Sequence, residues 1–167
     1  DRNWNNEEEG NVFGRFVTRL KNRTQQINLF GSIIELYEMS IKLDENNLSA
    51  VSHFAKFYEE FELSEEAIKV LQKALKKQYD ERLAYQLGMN YLHEGDYLSA
   101  LPLFERQVNH DPEDYHLRYL VALTHCEMGE TRAAEEMMLN IMEENPFEPN
   151  VHLCLGRLFN EQGRYYG

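Results

Sequence analysis

Between Glu81 and His93 the apolar residues Leu83, Leu87 and Tyr91 return every fourth position, which sets them on one face of an α-helix. Glu94-Gly95-Asp96 interrupts the pattern. Glycine ends helices, and aspartate begins them by accepting the first free backbone N–H groups. A second helix is predicted from about Tyr97 to Asn109, closing before Asp111-Pro112. Proline lacks the amide hydrogen a continuing helix needs and restricts the residue before it. The stretch reads as a helical hairpin with an apolar seam.

The hairpin recurs. Gly88, Ala122 and Gly156 stand 34 residues apart, as do Gly95, Gly129 and Gly163, and the pairs Ala100/Ala134 and Pro112/Pro146 keep the same step. Upstream, Ala55, Tyr58, Ala67 and Leu71 lie 33 residues before Gly88, Tyr91, Ala100 and Phe104. Ile33, Tyr37, Ser40 and Ile41 lie 34 before Ala67, Leu71, Ala74 and Leu75. A fixed period of this length marks an array of stacked helix pairs. The expected units are about 14–47, 48–80, 81–114 and 115–148, with a half unit over 149–167. The small residues are expected where the two helices of a hairpin cross: Gly88, Ala122 and Gly156 on the first helix, Ala67, Ala100 and Ala134 on the second. Larger side chains there would push the axes beyond about 8–10 Å.

Unit 81–114 resembles the tetratricopeptide repeat family at Leu87-Gly88, Tyr91, Gly95-Asp96-Tyr97, Ala100, Phe104 and Asp111-Pro112. Unit 115–148 agrees at Ala122, Gly129, Ala134 and Pro146, with His125 where the family has tyrosine; unit 48–80 agrees at Ala55, Tyr58, Ala67 and Ala74 but lacks the turn glycine and the closing proline. The likeness runs over about residues 28–167. It implies an all-α fold, a right-handed α-solenoid of antiparallel helix pairs, whose first helices line a concave groove that holds a peptide or helix of another protein.

Charge narrows the partners. The formal net charge of −12 opposes nucleic-acid binding, which needs a basic stripe. One exception follows an acidic polar tail over 1–10. The segment 11–26 holds Arg15, Arg19, Lys21 and Arg23 with no acid, and sets Phe13, Phe16, Val17 and Leu20 on the other face if helical. It reads either as a basic amphipathic helix for a membrane surface or acidic partner, or as a helix capping the array. No apolar run approaches the ~18 residues of a membrane span. Cys126 and Cys154 lie in successive first helices but six positions apart in register, about 9 Å of axial offset, too far for a disulfide. Two free thiols suit a reducing compartment, and a cytoplasmic location is expected.

Nothing in the chain arranges chemistry. The six histidines are scattered, without a His-x-x-x-His pair or a Cys/His cluster of metal-site spacing. Glu65-Glu66, Glu135-Glu136 and Glu143-Glu144 fall on second helices and read as solvated faces. The glycines mark turns at a fixed period, not a phosphate loop. Neither catalysis nor a cofactor or metal is expected.

The candidate site is the groove. Register places Ser52, Lys56, Arg82, Tyr85, Gln86, Met89, His93, His116, Tyr119, Leu123, Asn150, Leu153 and Arg157 on it, with Leu120 and Cys154 beside them. Tyr85, Tyr119 and Leu153 share one register position, as do Lys56, Met89, Leu123 and Arg157. The pattern predicts an apolar, aromatic stripe edged by cations. The family's clamp for the C-terminal carboxylate of heat-shock chaperones is missing: Ser52, Lys56, Gln86, His116 and Leu120 stand at its places, and neither neighbouring register restores it. The expected function is an interaction scaffold or assembly subunit. The alternatives are a regulatory sensor domain of a larger protein and a chaperone of secretion type. Leu155, Leu158 and Phe159 are expected to stay bare unless a further repeat or a partner covers the C-terminal end.

Overall fold

The computed structural model describes residues 26–44 and 46–163, and among these all regular structure is helical. Helix α1 covers 26–43. It is followed by α2 (Leu48–Glu60), α3 (Ser64–Lys77), α4 (Glu81–His93), α5 (Tyr97–His110), α6 (Tyr115–Glu127), α7 (Thr131–Glu144) and α8 (Pro149–Glu161). The chain divides into two compact units, Asp1–Ala50 and Val51–Gly167. The acidic tail and basic segment of the sequence reading lie outside the described residues, Gln26 excepted.

In the second unit each helix from α3 to α8 packs against its neighbours in the chain, and α6 also meets α8. This is a helical repeat solenoid. Aspartates start three helices: Asp80 accepts from the Leu83 N–H, Asp96 from Ser99, and Asp114 from His116 and Leu117. Each cap satisfies donors that the first turn leaves free. The turns within the hairpins share one geometry. The N–H groups of Leu63, Asp96 and Glu130 reach back to the carbonyls of Tyr58, Tyr91 and His125 at 2.9–3.0 Å. That closure needs a left-handed residue just before it. Gly95 and Gly129 supply it at φ 76° and 78°, whereas in the hairpin without a turn glycine Glu62 takes it at φ 58°.

The hairpin crossings hold the core. Ala67, Ala100 and Ala134 are fully buried, and so are Leu71, Phe104 and Met138 one turn later. A Cβ built on Gly88 would lie 2.7 Å from the Phe104 ring, so the close approach there requires glycine. The same position on α8 differs: a Cβ on Gly156 meets nothing within 4 Å.

One expectation is overturned. Leu155, Leu158 and Phe159 are not bare but buried, at 3%, 0% and 7% exposure. Leu155 and Phe159 pack with Ala122, Met138 and Ile141, and Leu158 packs with Cys126 and Ala134. These side chains point back onto the α6–α7 hairpin, which buries them. The Gly156 face of α8 is open.

In the first unit, α1 is apolar on more than one side. Phe30, Ile33, Ile34, Tyr37 and Ile41 are half-buried. Ile27, Leu29, Leu36, Met39 and Leu43 are exposed.

Candidate functional site

The first helices α4, α6 and α8 carry a connected row of side chains. Tyr85 on α4 meets His116 on α6, hydroxyl to Nε2 at 3.0 Å. The His116 ring stacks on Tyr119 one turn on, with centroids 6.4 Å apart and an interplanar angle of 26°. The Tyr119 hydroxyl reaches the Cys154 thiol on α8 at 3.7 Å. Tyr85 also sets its edge against Phe104 of the core. The row is anchored beneath and open above: Tyr85 and Tyr119 are half-buried and His116 is exposed. Burial raises both phenols above the usual tyrosine range, reinforced at Tyr119 by the bond to Cys154 and at Tyr85 by the charge of Asp114. They therefore act as neutral hydrogen-bonding groups.

Exposed apolar groups flank the row. Leu153 on α8 is 73% exposed and Met89 on α4 is 37% exposed, while Leu123 is half-buried against the α6–α8 core. The two arginines are held by neighbours. Arg157 pairs with Glu127 across the α6–α8 gap and donates to the Cys126 thiol at 3.4 Å. Arg82 pairs with Asp80 at 3.3 Å. Lys56, His93 and Asn150 are exposed, with His93 3.6 Å from Glu94 and Asn150 donating to Glu148.

At the α2–α4 end the site turns polar, and here the structure departs from the sequence reading. Gln86, read as a groove residue, is buried, and so is Asn90. Both side-chain amides donate to one carboxylate oxygen of Glu59, Gln86 at 2.9 Å and Asn90 at 2.6 Å, and Ser52 donates to the Gln86 carbonyl at 3.0 Å. Gln86 is thus spent on tying α4 to α2. A buried amide without such partners would cost about 1–3 kcal/mol, which is why it turns inward. Leu120 and Cys154 are buried as well, at 3% and 5% exposure. Leu120 packs with Ala100 and Phe104 of α5, and Cys154 with Ala122 of α6 and Met138 and Ile141 of α7, so both lie off the open face. Glu59 was missed by sequence reasoning. The available signal was a set of polar residues on successive first helices, Ser52 and Glu59 on α2 and Gln86 and Asn90 one turn apart on α4.

His125, which replaces a family tyrosine, bonds Glu130 through Nδ1 at 2.6 Å across the α6–α7 turn. It ties the end of α6 to the turn there. Among the described residues no group of three or more His, Cys, Asp or Glu side chains is placed to hold a metal. Among them, too, no helix is long and apolar enough to cross a membrane.

Comparison with known proteins accords with the helical repeat fold. The tetratricopeptide repeat model matches residues 91–158. Superkiller protein 3 of Schizosaccharomyces pombe is 30% identical over 80 residues, which make up 48% of this chain and 6% of that protein. The chain thus spans a small fraction of the length of this curated relative. Among solved structures, MamA superposes with a TM-score of 0.69 at 20% identity, covering 85% of this chain and 84% of its own. YrrB, described as a TPR protein with an unusual peptide-binding site, gives 0.69 at 20% identity, covering 86% and 74%. At these identities the likeness is one of fold.

Proposed function

Because this chain belongs to the tetratricopeptide repeat family, we propose that it is a protein–protein interaction scaffold that holds a peptide or helical segment of its partner along the first helices α4, α6 and α8. The observation that carries this reading is the Tyr85–His116–Tyr119 row with Leu153 and Met89 exposed beside it. Aromatic side chains held from beneath and open above make good anchors, since they bring large contact area at little entropic cost. Arg82 and Arg157 are already paired, so contact is led by apolar side chains, with polar groups setting register. Binding is the expected role, not catalysis, since the row lacks an activated nucleophile and a base–orienter pair. YrrB's description as a peptide binder on the same fold is consistent with this reading.

A displayed random-peptide library selected on the folded chain tests it. Enriched peptides should carry spaced apolar or aromatic residues. Leu153→Asp should weaken them at least tenfold while leaving helicity intact, because Leu153 is exposed and supports no core. Peptides that bind Leu153→Asp and a Met89→Asp variant as well as the parent chain would place the site elsewhere. Raising salt should have a modest effect, since screening acts on exposed charges and not on apolar contact.

A further inference from the structure

The second helices α3, α5 and α7 turn a charged or polar face to solvent. Lys73 and Lys77, Arg106 and His110, and Asn140 and Glu144 hold the same two places in the period, and all are exposed. The 34-residue step puts Met39 and Leu43 at those places in α1. Both are exposed, Leu43 to 83%. Leu29 and Leu36 extend the line: Leu29, Leu36 and Leu43 are seven residues apart, with Ser32 and Met39 three residues after the first two. That is the a and d spacing of a helix that pairs lengthwise with another helix. The opposite side of α1, with Ile34, Tyr37 and Ile41 half-buried, is a separate apolar face from this seam. An exposed apolar patch of this extent marks a contact surface.

We propose that α1 is a self-association helix whose Leu29–Leu36–Met39–Leu43 seam packs antiparallel against the same seam of a second copy of this chain. The flanking charges choose both occupant and direction. Glu35 and Lys42 are exposed, and each immediately precedes a seam leucine. In an antiparallel pair this flank faces itself. Glu35 then lies beside Lys42 of the second copy, and Lys42 beside Glu35, while Leu36 opposes Met39 and the small Ser32 makes room for Leu43. A parallel pair would set Glu35 beside Ser40 and Lys42 beside Asn47 and forfeit both ion pairs. A two-fold pairing of one patch with itself also closes, giving dimers and not filaments.

Sedimentation of the full 1–167 chain over a range of concentrations tests the proposal. The parent chain should be a dimer, and Leu36→Asp should make it monomeric with unchanged circular dichroism. Glu35→Lys or Lys42→Glu alone turns two attractive pairs repulsive by symmetry and should weaken the dimer about tenfold. Combining the two reverses both charges and should restore it. A chain that is monomeric at its highest soluble concentration overturns the proposal, including the case in which residues 11–25 of the same molecule cover the seam. So does a dimer indifferent to Leu36→Asp, or a double charge reversal no tighter than the single ones.

Discussion

Gly88 and Gly156 occupy one register position, yet only at Gly156 should replacement by alanine raise stability. A glycine inside a helix costs about 0.8–1.0 kcal/mol relative to alanine, and both residues are helical. At Gly156 a new methyl group meets nothing within 4 Å. Gly156→Ala should therefore realise the whole gain, raising the melting temperature by roughly 2–4 °C for a chain of this size. At Gly88 the methyl would lie 2.7 and 2.8 Å from two carbons of the Phe104 ring, where contact between carbons is comfortable at about 3.5–4.0 Å. The ring is fully buried with Ala100, Leu120 and Val121 around it, so it cannot withdraw. Overpacking of this kind costs about 1–3 kcal/mol, which cancels or exceeds the helical gain. The two variants should differ by roughly 1–3 kcal/mol. In α6 the corresponding residue is already alanine, and its partner is the flexible Met138 instead of a ring. Phe104→Leu should accordingly remove the penalty, so that Gly88→Ala stabilises in that background. Urea denaturation followed by circular dichroism measures the parent and the four variants. If Gly88→Ala stabilises the parent as much as Gly156→Ala does, the crossing is looser than described here and the reasoning fails.

Glu62→Gly should stabilise the chain by about 1 kcal/mol, since it relieves a left-handed residue that has a Cβ and removes an exposed side chain; an unchanged urea midpoint would mean the turn is not left-handed. The raised Tyr119 phenol holds its proton better folded than unfolded, so it contributes stability below the ordinary tyrosine value of 10.0 that is lost as pH rises above it. Tyr119→Phe should flatten the alkaline decline in melting temperature, and a decline as steep as the parent's would count against the burial of that hydroxyl. Cys126 and Cys154 are both buried, and burial raises the Cys126 thiol against the pull of Arg157. A thiol reagent should label them at the rate of opening. Leu158→Ala, which should cost about 2–5 kcal/mol, should speed that labelling; rapid labelling of the intact parent chain would contradict their burial.

The helical array was legible because its signals are local and repeated. Gly95-Asp96 and Pro112 punctuate the chain, and Ala67, Ala100 and Ala134 mark the crossings at a constant step. Register assigns a position to a face, but it does not say how far a neighbouring side chain reaches. Gln86 was read as open for that reason, and Glu59 from the adjacent first helix draws it inside. Leu120 and Cys154 sit just off the open face, at a boundary that a register count does not resolve. Leu155, Leu158 and Phe159 have two possible neighbours in a repeat, and the preceding hairpin alone suffices to bury them. At Glu62 the residue type argued against a tight turn, and the surrounding hairpin overrode it.

The chain-order packing of α3 to α8 bears on how the protein is made. Each helix rests on the one or two synthesised just before it, so its docking surface is present when it leaves the ribosome. Translation delivers about 5–20 residues per second, whereas a helix forms in about a microsecond or less. A hairpin of 34 residues therefore has seconds in which to settle before the next arrives. Nascent chains halted after Asp96, Glu130 and Gly163 should accordingly show protease resistance growing one hairpin at a time, with each arrested length already holding most of the structure it keeps in the finished protein.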